Sequence, residues 1–314
     1  MKSFLDWIKR MFSRVTPTTW PEVVDMRLLV KDRNANLKVC ALAVARCGIL
    51  YTPYHNYSRH DAWIKRLGRD DLNTTPVSSD RAETFGTPDL VDGKWMFPVE
   101  DPDGQVMFID NKTGLPSRGP KQPVQYATRC VAGVIGCNAR GERPFLWDAR
   151  ENKRVRTFDA EGIISGITRS GSEWVIAIMD GGKPGLFSTR GWRIAGKYVD
   201  VVNLNGELVA FEKSGAVEVF SGSGKRLRVV GNTGNKAQRA RLRKGLVYWI
   251  TANWDQVWVT DGQKIKLLTE WKDGDTAVND RTLFNTSLDF DGDDLIVARS
   301  VDKRGYEIWR LRLA

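Results

Sequence analysis

Large aromatic residues return through this chain at a spacing close to 40 residues. They are Trp63, Phe108, Trp147, Phe187, Phe220, Trp258 and Trp309, at successive intervals of 45, 39, 40, 33, 38 and 51 residues. A sustained period of this length indicates one structural unit repeated along the chain. The 12 Trp and 12 Phe among 314 residues also supply ample material for a packed core, which argues against disorder of the whole chain.

The stretch from Gly162 to Lys197 shows what each unit contains. Four short apolar segments, 163–168, 174–179, 186–188 and 192–197, are separated by turn-forming residues. The next unit repeats this plan, with the strong hairpin signal Asn205-Gly206 between its first two segments. Each unit is therefore predicted to be an up-and-down, four-stranded antiparallel sheet.

Four-stranded units with a period near 40 residues are typical of β-propeller blades. One blade cannot bury both faces of its sheet, whereas blades stacked around an axis can. The aromatic residues mark seven blades, or six if Trp63 marks none. We predict an all-β fold, a seven-bladed β-propeller over residues 22–314. The chain ends with a third strand, Tyr306 to Leu313, so residues 25–30 are predicted to join the last blade and close the ring.

The first 16 residues are predicted to form an amphipathic helix before a linker at 17–21 that begins and ends with proline. Its apolar face would consist of Phe4, Leu5, Ile8, Met11 and Phe12. A helix of this length is marginal in water unless that face is covered. We therefore interpret it as a docking helix that packs on the chain's own propeller, on another subunit or on a membrane surface.

One unit resembles a WD40 repeat. Phe145-Leu146-Trp147-Asp148 is followed by a short polar stretch and by Arg154-Val155-Arg156-Thr157-Phe158, as at the end of the third strand and into the fourth strand of that family. The resemblance covers about fifteen residues of a single blade. The Gly-His pair of WD40 repeats is missing, and no other blade carries Trp-Asp in place. The resemblance implies a propeller and does not imply membership of the WD40 family.

The two histidines are the obvious place to look for chemistry. A hydrolase would use Cys40 or Cys47 as nucleophile, His55 or His60 as base, and Asp61 to orient it. The same cysteines and histidines are zinc-ligand types, but they lack the short ligand pairs of zinc sites. The spacing matches no catalytic motif, so we predict no catalytic residue, no metal and no cofactor. The favoured interpretation is a polar loop beside two core thiols.

An acidic cluster near the C-terminus also admits two interpretations. Asp289, Asp291, Asp293 and Asp294 begin like a calcium loop, but no Glu stands at the twelfth position. Asp-Gly between two strands is more simply a hairpin turn. The four cysteines are predicted to be reduced thiols, because each local pair is seven residues apart and would face opposite sides of one continuous strand.

The formal net charge of +10 bears on partners rather than on the fold. The densest basic run contains Lys236, Arg239, Arg241, Arg243 and Lys244, and its three arginines alternate with apolar residues as on a strand with one basic face. This run is interpreted either as a contact for an acidic protein or nucleic acid, or as a solvated strand edge whose charge prevents aggregation.

With no catalytic set, the sequence favours a non-enzymatic protein–protein interaction and assembly component. The overall texture resembles small structural proteins of tailed bacteriophages, which implies a tail or hub component of a virion. A carbohydrate-binding propeller lectin or receptor-binding module, and a hydrolase using the His55–Asp61 loop, are the alternatives. No segment reaches the roughly 20 apolar residues of a membrane helix, and Asp6, Lys9 and Arg10 interrupt what would have to be the apolar region of a signal peptide. We therefore expect a cytoplasmic protein, or one that enters a virion.

Overall fold

The computed structural model describes residues 20–55, 62–68, 74–77, 84–100, 105–121, 126–138, 143–179, 181–273, 288–301 and 305–314. Within them, seven four-stranded antiparallel sheets follow one another around an axis. This confirms the predicted all-β, seven-bladed propeller. The predicted docking helix at residues 1–16 lies outside the described residues. No helix in the described part of the chain is long and apolar enough to cross a membrane.

The strands follow the chain order blade by blade, after β1 (Val23–Asp32). Blade 1 contains β2 (Leu37–Ala45), β3 (Gly48–His55), β4 (Lys65–Leu67) and β5 (Thr74–Pro76). A two-stranded sheet of β6 (Thr84–Phe85) and β9 (Val99–Glu100) flanks blade 2, which contains β7 (Asp89–Val91), β8 (Lys94–Phe97), β10 (Gln105–Asp110) and β11 (Pro116–Lys121). Blade 3 contains β12 (Tyr126–Val131), β13 (Val134–Asn138), β14 (Phe145–Asp148) and β15 (Lys153–Thr157).

The remaining blades keep the same plan. Blade 4 contains β16 (Ile163–Ser170), β17 (Glu173–Met179), β18 (Gly185–Ser188) and β19 (Arg193–Ala195). Blade 5 contains β20 (Tyr198–Leu204), β21 (Glu207–Glu212), β22 (Ala216–Ser221) and β23 (Arg226–Asn232). Blade 6 contains β24 (Arg241–Arg243), β25 (Leu246–Ile250), β26 (Gln256–Thr260) and β27 (Ile265–Glu270). Blade 7 contains β28 (Leu288–Asp291), β29 (Asp294–Val301) and β30 (Gly305–Leu313), with β1 as its fourth strand.

Blade 7 joins the two ends of the described chain. β1 pairs antiparallel with β30, from Val23 opposite Leu313 to Asp32 opposite Tyr306. Backbone bonds between Glu22 and Ala314 extend the pairing beyond the strands. One buried apolar cluster runs through blades 6, 7 and 1, so the junction of the ring is packed like its other parts.

The aromatic residues that set the period occupy equivalent places. Six of the seven lie on the third strand of a blade, and Trp63 lies just before β4, the third strand of blade 1. Aromatic pairs also join neighbouring blades: the rings of Phe211 and Trp249 are 5.0 Å apart, and those of Tyr248 and Phe290 are 4.9 Å apart. The core therefore lies between the blades, which explains why one repeat cannot fold alone.

Two kinds of turn connect the strands on one face of the ring. Between the first and second strands of blade 5, Asn205 and Gly206 adopt φ values of 53° and 88°, as a type I′ hairpin requires. At the end of the third strand of blade 3, the Asp148 carboxylate accepts hydrogen bonds from the backbone N–H groups of Arg150 and Glu151, at 2.9 and 3.2 Å. The aspartate of the WD40-like segment therefore stabilises a turn.

Two details differ from the sequence prediction. Cys130 and Cys137 are free thiols on the adjacent strands β12 and β13, rather than on one continuous strand, because the turn at Ala132-Gly133 separates them. The alternating run from Arg239 to Arg243 is not one strand either. β24 begins only at Arg241, and Arg239 precedes it in the core.

Candidate functional sites at the axis and on the rim

The first strands of the blades surround the axis and run parallel to one another, as the parallel bridge between Thr87 and Arg129 illustrates. The position three residues before each following turn is equivalent in all seven blades. We call these residues the inner ring: Ala43, Asp89, Arg129, Thr168, Val202, Arg241 and Asp289. Five of the seven are polar or charged, although they stand on the strands nearest the axis.

Polar side chains of the inner strands bond to the backbone of the next blade. Asp89 accepts a hydrogen bond from the N–H of Ala132 at 2.8 Å, and Thr168 accepts one from Asn203 at 3.0 Å. The same contact is made by Asp200 with Ala240 at 2.8 Å and by Asp289 with Val44 at 2.7 Å. These bonds connect blades 2 to 3, 4 to 5, 5 to 6 and 7 to 1. The polar residues near the axis thus stabilise the ring itself.

A buried charge cluster joins residues of blades 3, 5 and 6. Nη1 of Arg129 lies 2.8 and 3.0 Å from the two carboxylate oxygens of Asp200, two blades away. Arg239 lies near the same carboxylate, with Nη1 3.8 Å from Oδ1. The side chains of Asp200 and Arg239 are almost fully buried. Burial lowers the pKa of Arg239 to about 10, so its guanidinium is still charged at neutral pH.

A cavity of about 360 Å³ lies on the axis at the turn end of the inner strands. Inner-ring residues of blades 2 to 6 line it, together with Arg169, Asn203 and the exposed Leu242. A smaller cavity of about 180 Å³ lies at the opposite face, between Arg143, Asp159, Glu161 and Lys183. The ion pair between Arg143 and Asp159 at this cavity is exposed and therefore contributes little to the stability of the fold.

The fourth strands of the blades form the outer circumference, and four successive ones carry a single sign of charge. β11 contributes two basic residues, β15 three, β19 one and β23 two, with no acidic residue in any of these strands. We call this set the basic rim: Arg118, Lys121, Lys153, Arg154, Arg156, Arg193, Arg226 and Arg228. By contrast, β27 and β1 carry both signs, and β5 carries no charge.

Some members of the basic rim contact acidic residues of the second or third strands or of turns. Arg226 is 2.6 Å from Glu218, and Arg228 and Lys153 also form ion pairs. The Arg226 side chain is nevertheless 56% exposed, and all five residues of β15 are exposed. Exposed ion pairs of this kind are worth at most about 1 kcal/mol, so they leave the rim open to a stronger acidic partner.

The basic run predicted from the sequence is divided among different environments. Lys236 lies in the loop before blade 6, and Arg239 is buried against Asp200. Arg241 belongs to the inner ring. Arg243 and Lys244 are exposed at the turn, where Lys244 pairs with Asp293 at 2.6 Å and thereby lowers the pKa of that carboxyl. The five residues therefore do not form one continuous basic face.

Most of the candidate catalytic and metal-binding side chains lie outside the described residues, namely those of Cys40, His55, His60 and Asp61. Cys47 is half-buried, and burial raises the pKa of its thiol, the opposite of the shift that activates a nucleophile. No group of three or more metal-ligating side chains occurs in the described part of the chain.

The aspartates of the acidic cluster point to different partners. Asp289 bonds to the backbone of Val44, whereas Asp291 is 2.7 Å from Arg310. Asp293 pairs with Lys244 across the turn. Gly292 and Asp293 form the turn between β28 and β29, in agreement with the hairpin interpretation of this segment.

The sequence reasoning did not identify the inner ring or the basic rim. Both could have been found by aligning the repeats on their turns. Inner-ring residues stand three positions before each first turn, and rim residues stand in the segment after each third-strand turn. The basic run from Lys236 to Lys244 is dense along the sequence, whereas the charge of the basic rim becomes dense only when the blades stack.

Comparisons with known proteins support the fold. No protein-family model and no curated protein sequence matches this chain. Among solved structures, the WD40 repeats of RRP9 match with a TM-score of 0.63 and 13% identity, over 94% of this chain and 99% of that one. U3-55K matches with a TM-score of 0.61 and 13% identity, over 93% and 100% of the two chains.

A computationally designed protein, Ika8, matches with a TM-score of 0.52 and 12% identity, over 91% of this chain and 100% of its own. At these identities the matches establish the fold alone. The propeller, including its likeness to WD40 repeats, is thus supported independently of the single Trp-Asp segment.

Proposed function

We propose that this protein is a non-enzymatic propeller that joins other protein subunits in an assembly, and that the basic rim binds an acidic surface of its partner. The observation that carries the proposal is the single sign of charge on the outer strands of blades 2 to 5. A spread-out basic surface would not leave out acidic residues from four successive strands. Arginine, which supplies six of the eight rim residues, is also enriched at protein interfaces.

The rim combines charge with exposed apolar side chains. Val155 on β15 is 39% exposed, and Leu227 and Val229 on β23 are 43% and 53% exposed. Protein interfaces commonly place apolar contacts inside a polar border. This composition favours a protein partner over nucleic acid, whose backbone would need only the charges.

The proposal is tested by purifying the tagged full-length protein from the cells that produce it, together with two variants. Arg156→Glu/Arg193→Glu changes the charge of the basic rim by four. Both side chains are exposed, and neither forms an ion pair within the described part of the chain. Arg27→Glu/Lys94→Glu makes the same change elsewhere on the exposed surface. The rim variant should lose its co-purifying proteins while the control keeps them; equal recovery with both would contradict the proposal.

The class of partner is tested separately with poly-L-glutamate and a single-stranded oligonucleotide as probes. Added salt should weaken binding to either polyanion, because exposed charges are screened. An acidic protein partner predicts that poly-L-glutamate binds the wild-type protein and not the rim variant. Tighter binding of the oligonucleotide, lost in the same variant, would instead assign the rim to nucleic acid.

The docking helix at residues 1–16 is a second part of the proposed assembly function. Its support is the apolar face formed by Phe4, Leu5, Ile8, Met11 and Phe12. Light scattering of the full-length protein against a chain lacking residues 1–16 separates the alternatives. Association of the full-length chain alone indicates docking on a neighbour, whereas two monomers indicate packing on the same propeller.

The most specific form of the proposal is a tail or hub component of a tailed bacteriophage. It rests on the resemblance in sequence texture described above. Mass spectrometry of purified particles tests it directly, since a virion component must be present in them. If the purified particles do not contain this chain, the role as a virion component is excluded, whereas the general assembly proposal is unaffected.

A further inference from the structure

The axial cavity carries an imbalance of charge. Arg129, Arg169 and Arg241 line it, against the single carboxylate of Asp89. That carboxylate already accepts the hydrogen bond from Ala132 that links blades 2 and 3. Because a cleft lined by an excess of one sign of charge concentrates ions of the opposite sign, such a cavity favours an anion.

Two of the three guanidinium groups form no ion pair in the described part of the chain. Arg241 donates only to backbone carbonyl oxygens, from Nε to Leu288 at 3.4 Å and from Nη2 to Pro88 at 3.1 Å. Arg169 donates to the carbonyl oxygen of Gly171 at 3.0 Å and lies over the ring of Trp174. Carbonyl oxygens orient a guanidinium group but do not neutralise it.

The acidic groups nearby do not remove the excess. Asp200 stands between two arginines, Arg129 and Arg239. Asp289 attracts Arg241 from a distance, but its carboxylate is held by the N–H of Val44, and burial raises its pKa, which favours the neutral acid. Positive charge therefore prevails along this part of the axis.

We propose that the axial cavity binds a small oxyanion of the phosphate class, with Arg169 and Arg241 as its direct ligands. The planar guanidinium fork matches two oxygens of such an anion. A volume of about 360 Å³ exceeds what inorganic phosphate needs and lies at the lower end of small-molecule pockets. The anion is thus either inorganic phosphate or the phosphate group of a small ester. This site is separate from the basic rim, so either can fail without the other.

The experiment titrates the full-length protein with inorganic phosphate and, separately, with phenyl phosphate, at constant ionic strength set with chloride. Calorimetry and ³¹P NMR report the binding. Saturable binding of either probe is expected. Similar affinities for both would assign the site to the phosphate ion, and an ester at least about tenfold tighter would assign it to a phosphorylated small molecule.

Variants locate the binding. Arg241→Gln and Arg169→Gln should each weaken it about tenfold, the usual worth of one charge-assisted hydrogen bond. Arg243→Gln is the matched control, because Arg243 lies on the same strand as Arg241, is exposed and does not line the cavity. If Arg241→Gln fails to fold, the exposed Arg169 decides the matter. Absence of saturable binding by the wild-type protein, or an equal loss in all three variants, would overturn the proposal.

Discussion

Arginine has opposite roles at the axis and on the rim of this propeller. At the axis, the buried Arg129 and Arg239 both lie close to the carboxylate of Asp200, and aspartate carboxylates accept hydrogen bonds from backbone N–H groups of the next blade. On the rim, Arg156 and Arg193 are exposed and form no ion pair within the described part of the chain. Residue type alone therefore does not distinguish a structural charge from a binding charge, whereas burial and the nearest partner do.

The largest expected effect concerns the stability of the ring when blade 7 lacks its outer strand, β1. Removal of residues 1–32 deletes β1, the fourth strand of blade 7, and exposes the edge of β30 and the apolar cluster beneath it. We expect this deletion to abolish the cooperative thermal transition, which is measured by circular dichroism. Removal of residues 1–16 alone keeps β1 and should preserve the transition. An unchanged melting temperature without residues 1–32 would mean that the first strands around the axis keep the ring folded without β1.

The next effect tests the axis directly. Asp200→Ala leaves two buried guanidinium groups without their carboxylate and should cost about 3–5 kcal/mol of unfolding free energy, measured by denaturant titration. Asp200→Asn should cost less, because it keeps an acceptor for the N–H of Ala240. Glu161→Ala, at an exposed position, should stay within about 0.5 kcal/mol. A similarly small effect at Asp200 would remove the distinction between axis and surface.

A smaller effect measures how closely blades 4 and 5 approach. A Cβ atom on Gly166 would lie 2.6 Å from Oδ1 and 2.8 Å from Cα of Asp200. Gly166→Ala should therefore cost about 1–3 kcal/mol of unfolding free energy. Gly222→Ala is the control, because the nearest atoms to its Cβ would be 3.5 Å away. Equal costs at the two glycines would show that the axis tolerates expansion.

The smallest effect appears at alkaline pH. Burial raises the pKa of the Cys137 thiol, so above about pH 9 the unfolded chain releases this proton while the folded chain retains it. Stability from this group is complete below that pH and falls as the pH rises, by about 1.4 kcal/mol per pH unit. Cys137→Ala should make the fall correspondingly shallower in denaturant titrations from pH 8 to 10. Parallel curves would contradict the assignment.

The fold could be predicted from the sequence because local signals repeat. Six period-setting aromatics lie on third strands, and Asn205-Gly206 forms the hairpin that its type predicts. Such features depend on neighbouring residues and on a period that the chain displays directly. Seven copies of a weak local signal give a strong prediction of the architecture.

The sites could not be predicted in the same way, because their members meet only after folding. Arg129 and Asp200 are 71 residues apart, and Arg241 reaches the backbone of Pro88 across the axis. Arg239 looked exposed in an alternating run, yet it lies in the core. The number of residues between strands does not reveal which charges stacking will bury.

The most direct test of the central claim is cross-linking mass spectrometry of the native complex with lysine-reactive reagents. Lys121 and Lys153 belong to the basic rim, while the exposed Lys94 and the half-buried Lys266 lie elsewhere on the surface. We predict that cross-links to partner proteins concentrate on Lys121 and Lys153 and reach acidic segments of the partner. Partner cross-links that favour Lys94 and Lys266, or that spread evenly over all four lysines, would contradict the rim as the surface of assembly.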